Sequence, residues 1–417
     1  MKHVLAEIIT IGDEILYGQI TDTNSQWISA ELDKAGIRTK RKVSIGDQKP
    51  EILSAIEEAQ TRADIILITG GLGPTKDDIT KKTFAEYFGV EMYQDKSVLE
   101  NIENLFKSRG RELNELNQQQ ASVPKNARVI MNLVGTAPGM WFEKKGKVLV
   151  SMPGVPSEMK KMMSEQIIPL LQERFDTPFI LHKMIKTIGI GESKLAPIIA
   201  DWEDNLPEHI KLAYLPRMGQ VRLRLTAFGT NKEKLILDIA KQIEKVFPII
   251  DKYVYGFDNE EVEHTIGNLL LQKKQTLATA ESCTGGLLAD KITDIPGCSA
   301  YFKGGIVAYS NDIKVSQLGV SAATLEVHGA VSEQTAMEMA ENVRKRYNAD
   351  YGISTTGIAG PDGGVPGKPV GTIYIGYSDK NETFAKLLQL TKDRHININF
   401  TYNAILNLLR KKLMEIE

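Results

Sequence analysis

Thr279-Ala280-Glu281-Ser282-Cys283-Thr284-Gly285-Gly286 lies between two short apolar runs, Leu277-Ala278 before it and Leu287-Leu288-Ala289 after it. The pattern reads as strand, tight turn and helix. Three residues with nucleophilic side chains, Ser282, Cys283 and Thr284, fall together where the helix is expected to begin. A helix start collects free backbone N–H groups and the positive end of the dipole, so an oxyanion or a phosphate is well served there. The same residues also suit an ordinary N-cap. A second Gly-rich loop, Thr355-Thr356-Gly357-Ile358-Ala359-Gly360-Pro361-Asp362-Gly363-Gly364, follows another apolar run. Two such loops in one domain exceed what turns alone require.

Between and after these loops the chain alternates strands with helices. Tyr301 to Asn311 reads as a strand ending in a polar cluster, and a helix over Asp312–Leu318 sets Lys314 one turn beyond Tyr309 and Ser310. Helices over Ala322–Val327 and Glu333–Tyr347 precede a buried strand, Tyr351–Thr356. Val370–Tyr377 and Thr383–Gln389 form a final strand pair, and Asp393-Arg394 opens the last helix. Serine is a weak nucleophile that needs a base. Only His395 lies near a motif, which leaves a Ser-His-Asp triad without its third member. Lys314 and Tyr309 are the alternative proton carriers: a desolvated lysine loses its proton near neutral pH, and a tyrosine can relay one. Read alone, Lys314 is equally a solvated lysine on a helix face and Tyr309 a core aromatic at a strand end. Cys283 is the rival nucleophile to Ser282, or else a small buried hydrophobe. Arg394 offers a planar fork for a phosphate.

Upstream, Gln172–Thr177 reads as a polar boundary. Lys186–Ser193 then runs from strand into helix, Lys211–Leu215 and Val221–Ala227 read as paired strands, and Ile236–Phe247 as an amphipathic helix. This is a small α+β module. At the start of the chain, apolar strands at Val4–Ile11, Arg38–Ile45 and Ile65–Thr69 alternate with helices at Asn24–Ala35 and Pro50–Gln60, which predicts a doubly wound, mostly parallel sheet. Ligands of such sheets sit at the carboxyl ends of the strands. Asp13, Asp47 and the loop Gly70-Gly71-Leu72-Gly73-Pro74-Thr75-Lys76-Asp77-Asp78 all fall at that edge. Gly71 and Gly73 let backbone N–H groups approach a phosphate, and Asp47, Asp77 and Asp78 are hard oxygen ligands for a divalent ion.

With 417 residues, two or three domains are expected. The composition, 42% hydrophobic and 25% charged with a formal net charge of -2, is that of ordinary globular material and carries no electrostatic footprint for nucleic acid or membrane. Only two cysteines occur, and the start Met1-Lys2-His3-Val4 has no signal-peptide pattern, so a reducing cytoplasm is expected. The six histidines show no zinc-ligand spacing.

Residues 4–170, with the Gly46-Asp47 turn, the loop from Gly70 and Met152-Pro153-Gly154-Val155-Pro156-Ser157-Glu158-Met159, resemble the molybdopterin-binding fold of the MoaB/MogA type. Leu72 stands where molybdopterin enzymes usually have Thr. Essentially the full length resembles the CinA family, whose N-terminal domain is linked to metal-dependent hydrolysis of ADP-ribose. The middle module of that family is described as KH-like, but Gly189-Ile190-Gly191-Glu192 does not supply a GxxG clamp. Residues 258–413 resemble the PncC family, which removes the amide of nicotinamide mononucleotide. Ala280–Gly286, Tyr309–Lys314, Thr355–Gly364 and Asp393-Arg394 carry that resemblance, with Lys392 where the family usually has Gly.

The resemblance implies three domains: residues 1–172 MogA-like, 173–252 KH-like and serving as linker or dimerisation module, and 253–417 an α/β amidase. It implies Ser282, Tyr309 and Lys314 as catalytic, with Thr356 and Arg394 on the substrate; the backbone N–H groups of Cys283, Thr284 and Gly285 at the expected helix start would hold the oxyanion of the bound substrate. The amidase would need no cofactor. The N-terminal domain would take ADP-ribose at Gly71 and Gly73, with a divalent ion (magnesium, manganese or cobalt) and potassium. A homodimer without membrane or direct nucleic-acid contact is expected. The readings from other classes are a non-catalytic partner protein in competence or DNA damage, and a pterin- or nucleotide-binding protein.

Overall fold

The structure is a computed structural model that describes residues 4–73, 75 and 79–416. Strand β1 (Leu5–Ile11) is buried at every position after Leu5. β2 (Arg38–Ile45) and β3 (Ile65–Thr69) flank it, both parallel to it. A side ribbon pairs β4 (Met92–Gln94) with β5 (Ser122–Pro124). β6 (Arg128–Ile130), β7 (Gly139–Lys144) and β8 (Lys147–Met152) complete the main sheet in the order β2-β1-β3-β8-β7-β6. β8 is parallel to β3, and β7 and β6 are antiparallel.

Both faces of this sheet are covered, which is why its central strands read as continuous apolar runs. Ile8, Leu67 and Val150 meet Ile28, Leu32 and Met159 on one face. Ile9, Ile66 and Leu149 meet Ile52, Ile56 and Phe84 on the other. The expected doubly wound, mostly parallel sheet is therefore present.

A four-stranded sheet follows, ordered β10-β11-β9-β12, from β9 (Phe179–Ile188), β10 (Ile210–Arg217), β11 (Gln220–Gly229) and β12 (Val254–Phe257). Helices Glu192–Asp204 and Lys232–Ile250 accompany it. β12 pairs antiparallel with β9, so the last strand of this sheet, Val254–Phe257, lies wholly after residue 252.

The last sheet contains β13 (Leu277–Glu281), β14 (Phe302–Val307), β15 (Tyr351–Gly357), β16 (Thr372–Ser378) and β17 (Thr383–Gln389), ordered β14-β13-β15-β16-β17. The three strands from β14 to β15 are parallel, and β16 and β17 antiparallel. On β13 the small side chains Ala278 and Ala280 admit Met339 and Val343 of the helix Glu333–Arg346. The other face packs Leu277 and Ile353 with Ile266 and Leu270 of Val262–Lys273 and Ile405 and Leu409 of Arg394–Leu413. By packing, the chain divides into two units, Met1–Leu181 with Ala227–Leu235, and His182–Thr226 with Ile236–Glu417. Among the described residues no helix is long and apolar enough to cross a membrane.

Candidate active site

The turn after β13 is held by an acid from the strand itself. Glu281, 1% exposed, accepts through Oε2 from the amides of Gly286 (3.1 Å) and Leu288 (3.0 Å) and from Thr284 Oγ1 (2.7 Å), and through Oε1 from the amide of Ala289 (2.9 Å). The helix begins at Leu287, with Gly286 at φ 103° as its N-cap. This corrects the expectation of a helix start at Ser282–Thr284: the positive end of the dipole is neutralised by Glu281 instead of facing a ligand. The Gly285 amide donates to Ser282 O at 3.1 Å, so it too is engaged. The amides of Cys283 and Thr284 make no backbone–backbone hydrogen bond among the described residues.

Ser282 is 8% exposed and its amide donates to Thr355 O at 2.9 Å, which ties the turn to β15. Lys314 Nζ donates to Ser282 Oγ at 3.1 Å and to Ala308 O at 2.8 Å. Lys314 stands on the helix Asn311–Leu318 and is 1% exposed, not a solvated helix-face lysine. Among the described residues no carboxylate lies within ion-pair distance of it, and burial holds its pKa below the ordinary lysine value. Burial acts oppositely on Cys283, pushing its thiol up to about 12. Cys283 packs with Ala359 and Ile373. Its side chain is the small buried hydrophobe, protonated at neutral pH.

Ser282, Cys283, Lys314, Tyr309, Thr356 and Arg394 line one cavity of about 210 Å³, together with Asn311, Ala330, Val331, Gly357 and Ala359. Thr284 and Gly285 do not line it; the Thr284 hydroxyl is instead shared with Glu281 and, at 2.7 Å, Thr355 Oγ1. Thr356 Oγ1 donates to Ala330 O at 2.6 Å. Arg394 donates through Nη1 to Gly360 O and through Nη2 to Tyr309 Oη, each at 3.0 Å. Asp393 caps its helix by accepting from the Ile396 amide. Tyr309 is 60% exposed and its hydroxyl meets Arg394, not Lys314 or Ser282. The Tyr309 hydroxyl thus lies with Arg394, apart from the Lys314–Ser282 pair. Glu281, Thr355 and Asn311 were not singled out from sequence. An acid at a strand end before a helix was the available signal for Glu281.

In the first unit the carboxyl ends of β1, β2, β3 and β8 converge. The Asp13 amide donates to Asp47 Oδ2 at 3.2 Å, and the Gly70 amide to Met152 O at 3.1 Å. Gly70 needs its φ of 112° and its missing side chain, because a Cβ there would overlap Ile11 O. Gly71 faces Thr80 Oγ1, which is buried and has no hydrogen-bond partner among the described residues. Two of the three expected metal ligands, Asp77 and Asp78, lie outside the described residues. Among the described residues no three His, Cys, Asp or Glu side chains form a metal-binding group.

Residues 7–173 match the family model described as "Probable molybdopterin binding domain", residues 182–256 that of the damage-inducible protein CinA KH domain, and residues 259–413 that of the CinA C-terminal domain. A CinA-like protein of Cytophaga hutchinsonii is 54% identical over 415 residues, covering 100% of this chain and 99% of that one. The chain belongs to the CinA family. A CinA-like protein of Flavobacterium psychrophilum is 45% identical, covering 98% of this chain and 99% of its own length. The crystal structure of a competence/damage inducible protein from Agrobacterium tumefaciens is 37% identical, covering 36% of this chain and 91% of that one with a TM-score of 0.34. The N-terminal sheet is thus the MoaB/MogA-like part of a CinA protein, the middle sheet its KH-like module, and the third sheet the CinA C-terminal domain.

Proposed function

We propose that the C-terminal domain is a serine amidohydrolase that converts nicotinamide mononucleotide to nicotinic acid mononucleotide and ammonia. The observation that supports this best is the contact of the buried, carboxylate-free Lys314 Nζ with Ser282 Oγ at 3.1 Å, at the base of a cavity that Thr356 and Arg394 also line.

In this reading neutral Lys314 takes the proton of Ser282 as Oγ attacks the carboxamide carbon. The oxyanion of the tetrahedral intermediate lies against the amides of Cys283 and Thr284, each such donor being worth about 3 kcal/mol. Lys314 returns the proton to the leaving nitrogen, and ammonia departs from a nicotinoyl ester on Ser282. Water, deprotonated by Lys314, then cleaves the ester. Arg394 holds the phosphate, braced by Gly360 O and Tyr309 Oη. Thr356 lies along the substrate between the two ends. Ammonia release from nicotinamide mononucleotide by the purified chain tests the reading, and a chain that leaves this amide intact while cleaving another would assign the site to a different substrate.

We infer a second activity for the N-terminal unit, metal-dependent cleavage of the ADP-ribose pyrophosphate. Support comes from Asp13 and Asp47 at the strand carboxyl edge that also carries Gly70 and Gly71, and from the buried Thr80 hydroxyl, which has no partner among the described residues. Asp47, Asp77 and Asp78 would hold the divalent ion, which supplies charge neutralisation and an activated water. Gly71 and Gly73 would take the phosphates. Phosphate-product analysis with ADP-ribose, with and without chelator, tests it.

A further inference from the structure

A larger cavity in the second unit, about 570 Å³, is not used by either reaction. Its walls come from the Gly189–Glu192 segment, the β10–β11 hairpin, strands β16 and β17, and the last helix. This volume falls within the range of roughly 300–1,000 Å³ typical of small-molecule sites. Its body is apolar: Ile188, Ile190, Ile375, Leu388, Phe400 and Leu408. Arg217, Lys386 and Lys411 also line it against one acid, Glu192, so positive charge predominates.

The walls are fixed by polar contacts that do not fill the space. Gln220 Nε2 donates to Asn403 Oδ1 at 2.8 Å, Asn403 Nδ2 to Met218 O at 3.0 Å, and Tyr255 Oη to Gln220 Oε1 at 3.0 Å. Gly189 and Gly219, at φ 80° and 69°, carry no side chain into it. An apolar body walled by an aromatic ring, with several cations and one acid, matches a flat ring that bears an anionic group. We propose that this cavity is a binding site for a nucleoside monophosphate: the base lies against Phe400 and the aliphatic walls, and the phosphate meets Arg217, Lys386 and Lys411.

The site is positioned to act on catalysis. The helix that supplies Phe400, Asn403 and Lys411 begins with Arg394 of the candidate active site. Leu388, which lines the larger cavity, also packs on the Cys283–Ala359–Ile373 cluster. A ligand that orders this helix would change KM for a phosphate-bearing substrate held by Arg394. That consequence rests on the amidase reading; the binding itself does not.

The test is photolabelling of the full chain with 8-azidoadenosine 5′-monophosphate, followed by peptide mapping. The expected label falls on residues 188–192, 210–229, 372–389 or 394–413, saturates, and is displaced by adenosine 5′-monophosphate at concentrations at least tenfold below those needed with uncharged adenosine. Arg217 and Lys386 are exposed, so a chain carrying Arg217→Glu and Lys386→Glu should fold, as circular dichroism will verify, and should label at least tenfold less. Arg394→Leu should leave this labelling unchanged. Label confined to other peptides, equal displacement by adenosine, or undiminished labelling of the folded double variant overturns the proposal. Ammonia release plays no part in the readout, so failure here and failure of the amidase reading are separate results.

Discussion

Two strand-end loops of this molecule carry similar sequence signals and solve different physical problems. The turn after β13 and the loop after β3 both follow an apolar strand of a parallel sheet and both lead into a helix. After β13 the strand contributes its own carboxylate. Glu281 saturates the helix start, and what faces the cavity is a neutral hydroxyl paired with a buried lysine. After β3 the strand ends in Thr69, which carries no carboxylate; Thr80 Oγ1 has no hydrogen-bond partner among the described residues, and Asp13 and Asp47 stand at the neighbouring strand ends. A loop that internalises its countercharge suits chemistry on an uncharged amide. A loop with backbone donors and peripheral acids suits a pyrophosphate with its metal.

The largest effect that would break this contrast is at Ser282. Ser282→Ala should lower deamidation by at least about 10³-fold with the fold intact, while Cys283→Ala stays within a few-fold. Iodoacetamide at pH 8 should leave Cys283 unlabelled in the folded chain, because its thiol is pushed up to about 12. An essential, readily alkylated Cys283 would make this a thiol enzyme.

Next in size is Lys314→Met, with kcat reduced about 10³-fold and KM little changed. The sign of the pH dependence follows from the depressed pKa of Lys314. Above it the amine is neutral and accepts the Ser282 proton; as pH falls through it, kcat should fall. A rate that rises on acidification would exclude Lys314 as the base.

Glu281→Gln sharpens the comparison at the turn. Charge-assisted hydrogen bonds are worth about 1.5–3 kcal/mol, so losing them should cost the second unit about 2 kcal/mol, or roughly 5 °C in a thermal melt, and slow deamidation about 30-fold. An unchanged melt would show that the helix start does not depend on this carboxylate.

Arg394→Leu should raise KM for nicotinamide mononucleotide about 10-fold with kcat nearly kept. On nicotinamide riboside, which lacks the phosphate, the same variant should match the unmodified chain. Equal damage to both substrates would move the phosphate to Lys392 and make Arg394 a brace for the turn. Smallest of all is the effect of a chelator or of Asp78→Ala on deamidation, expected within about twofold, while ADP-ribose cleavage is lost. A joint collapse would mean one composite site.

Much of the second unit was legible because its signals are local. The strand Thr383–Gln389 matches the reading residue for residue, and the helices at Lys314 and Glu333 differ by a residue or so at their ends. The helix after β13 starts later than propensity predicts. Propensity marks Ser282–Thr284 as N-cap residues, but nothing local says that Glu281 folds forward under the turn and delays the helix to Leu287. The sequence pairs Tyr309 with Lys314 as a proton carrier through tyrosine chemistry and the family motif. Its hydroxyl is turned instead toward Arg394, a contact 85 residues away along the chain.

The alternation of strands and helices, the parallel sheets, and the residue types gathered at their carboxyl edges are written in short windows, because periodicity and turn chemistry are local properties. Which of those residues are dry depends on the assembled fold. Lys314 reads as a surface lysine until the turn after β13 and the Ala308–Tyr309 segment after β14 close on it, and Cys283 reads as a nucleophile until Ala359 and Ile373 pack against it. The protonation of both depends on how much water is removed from around the charged form, and desolvation is set by neighbours that are distant in the chain.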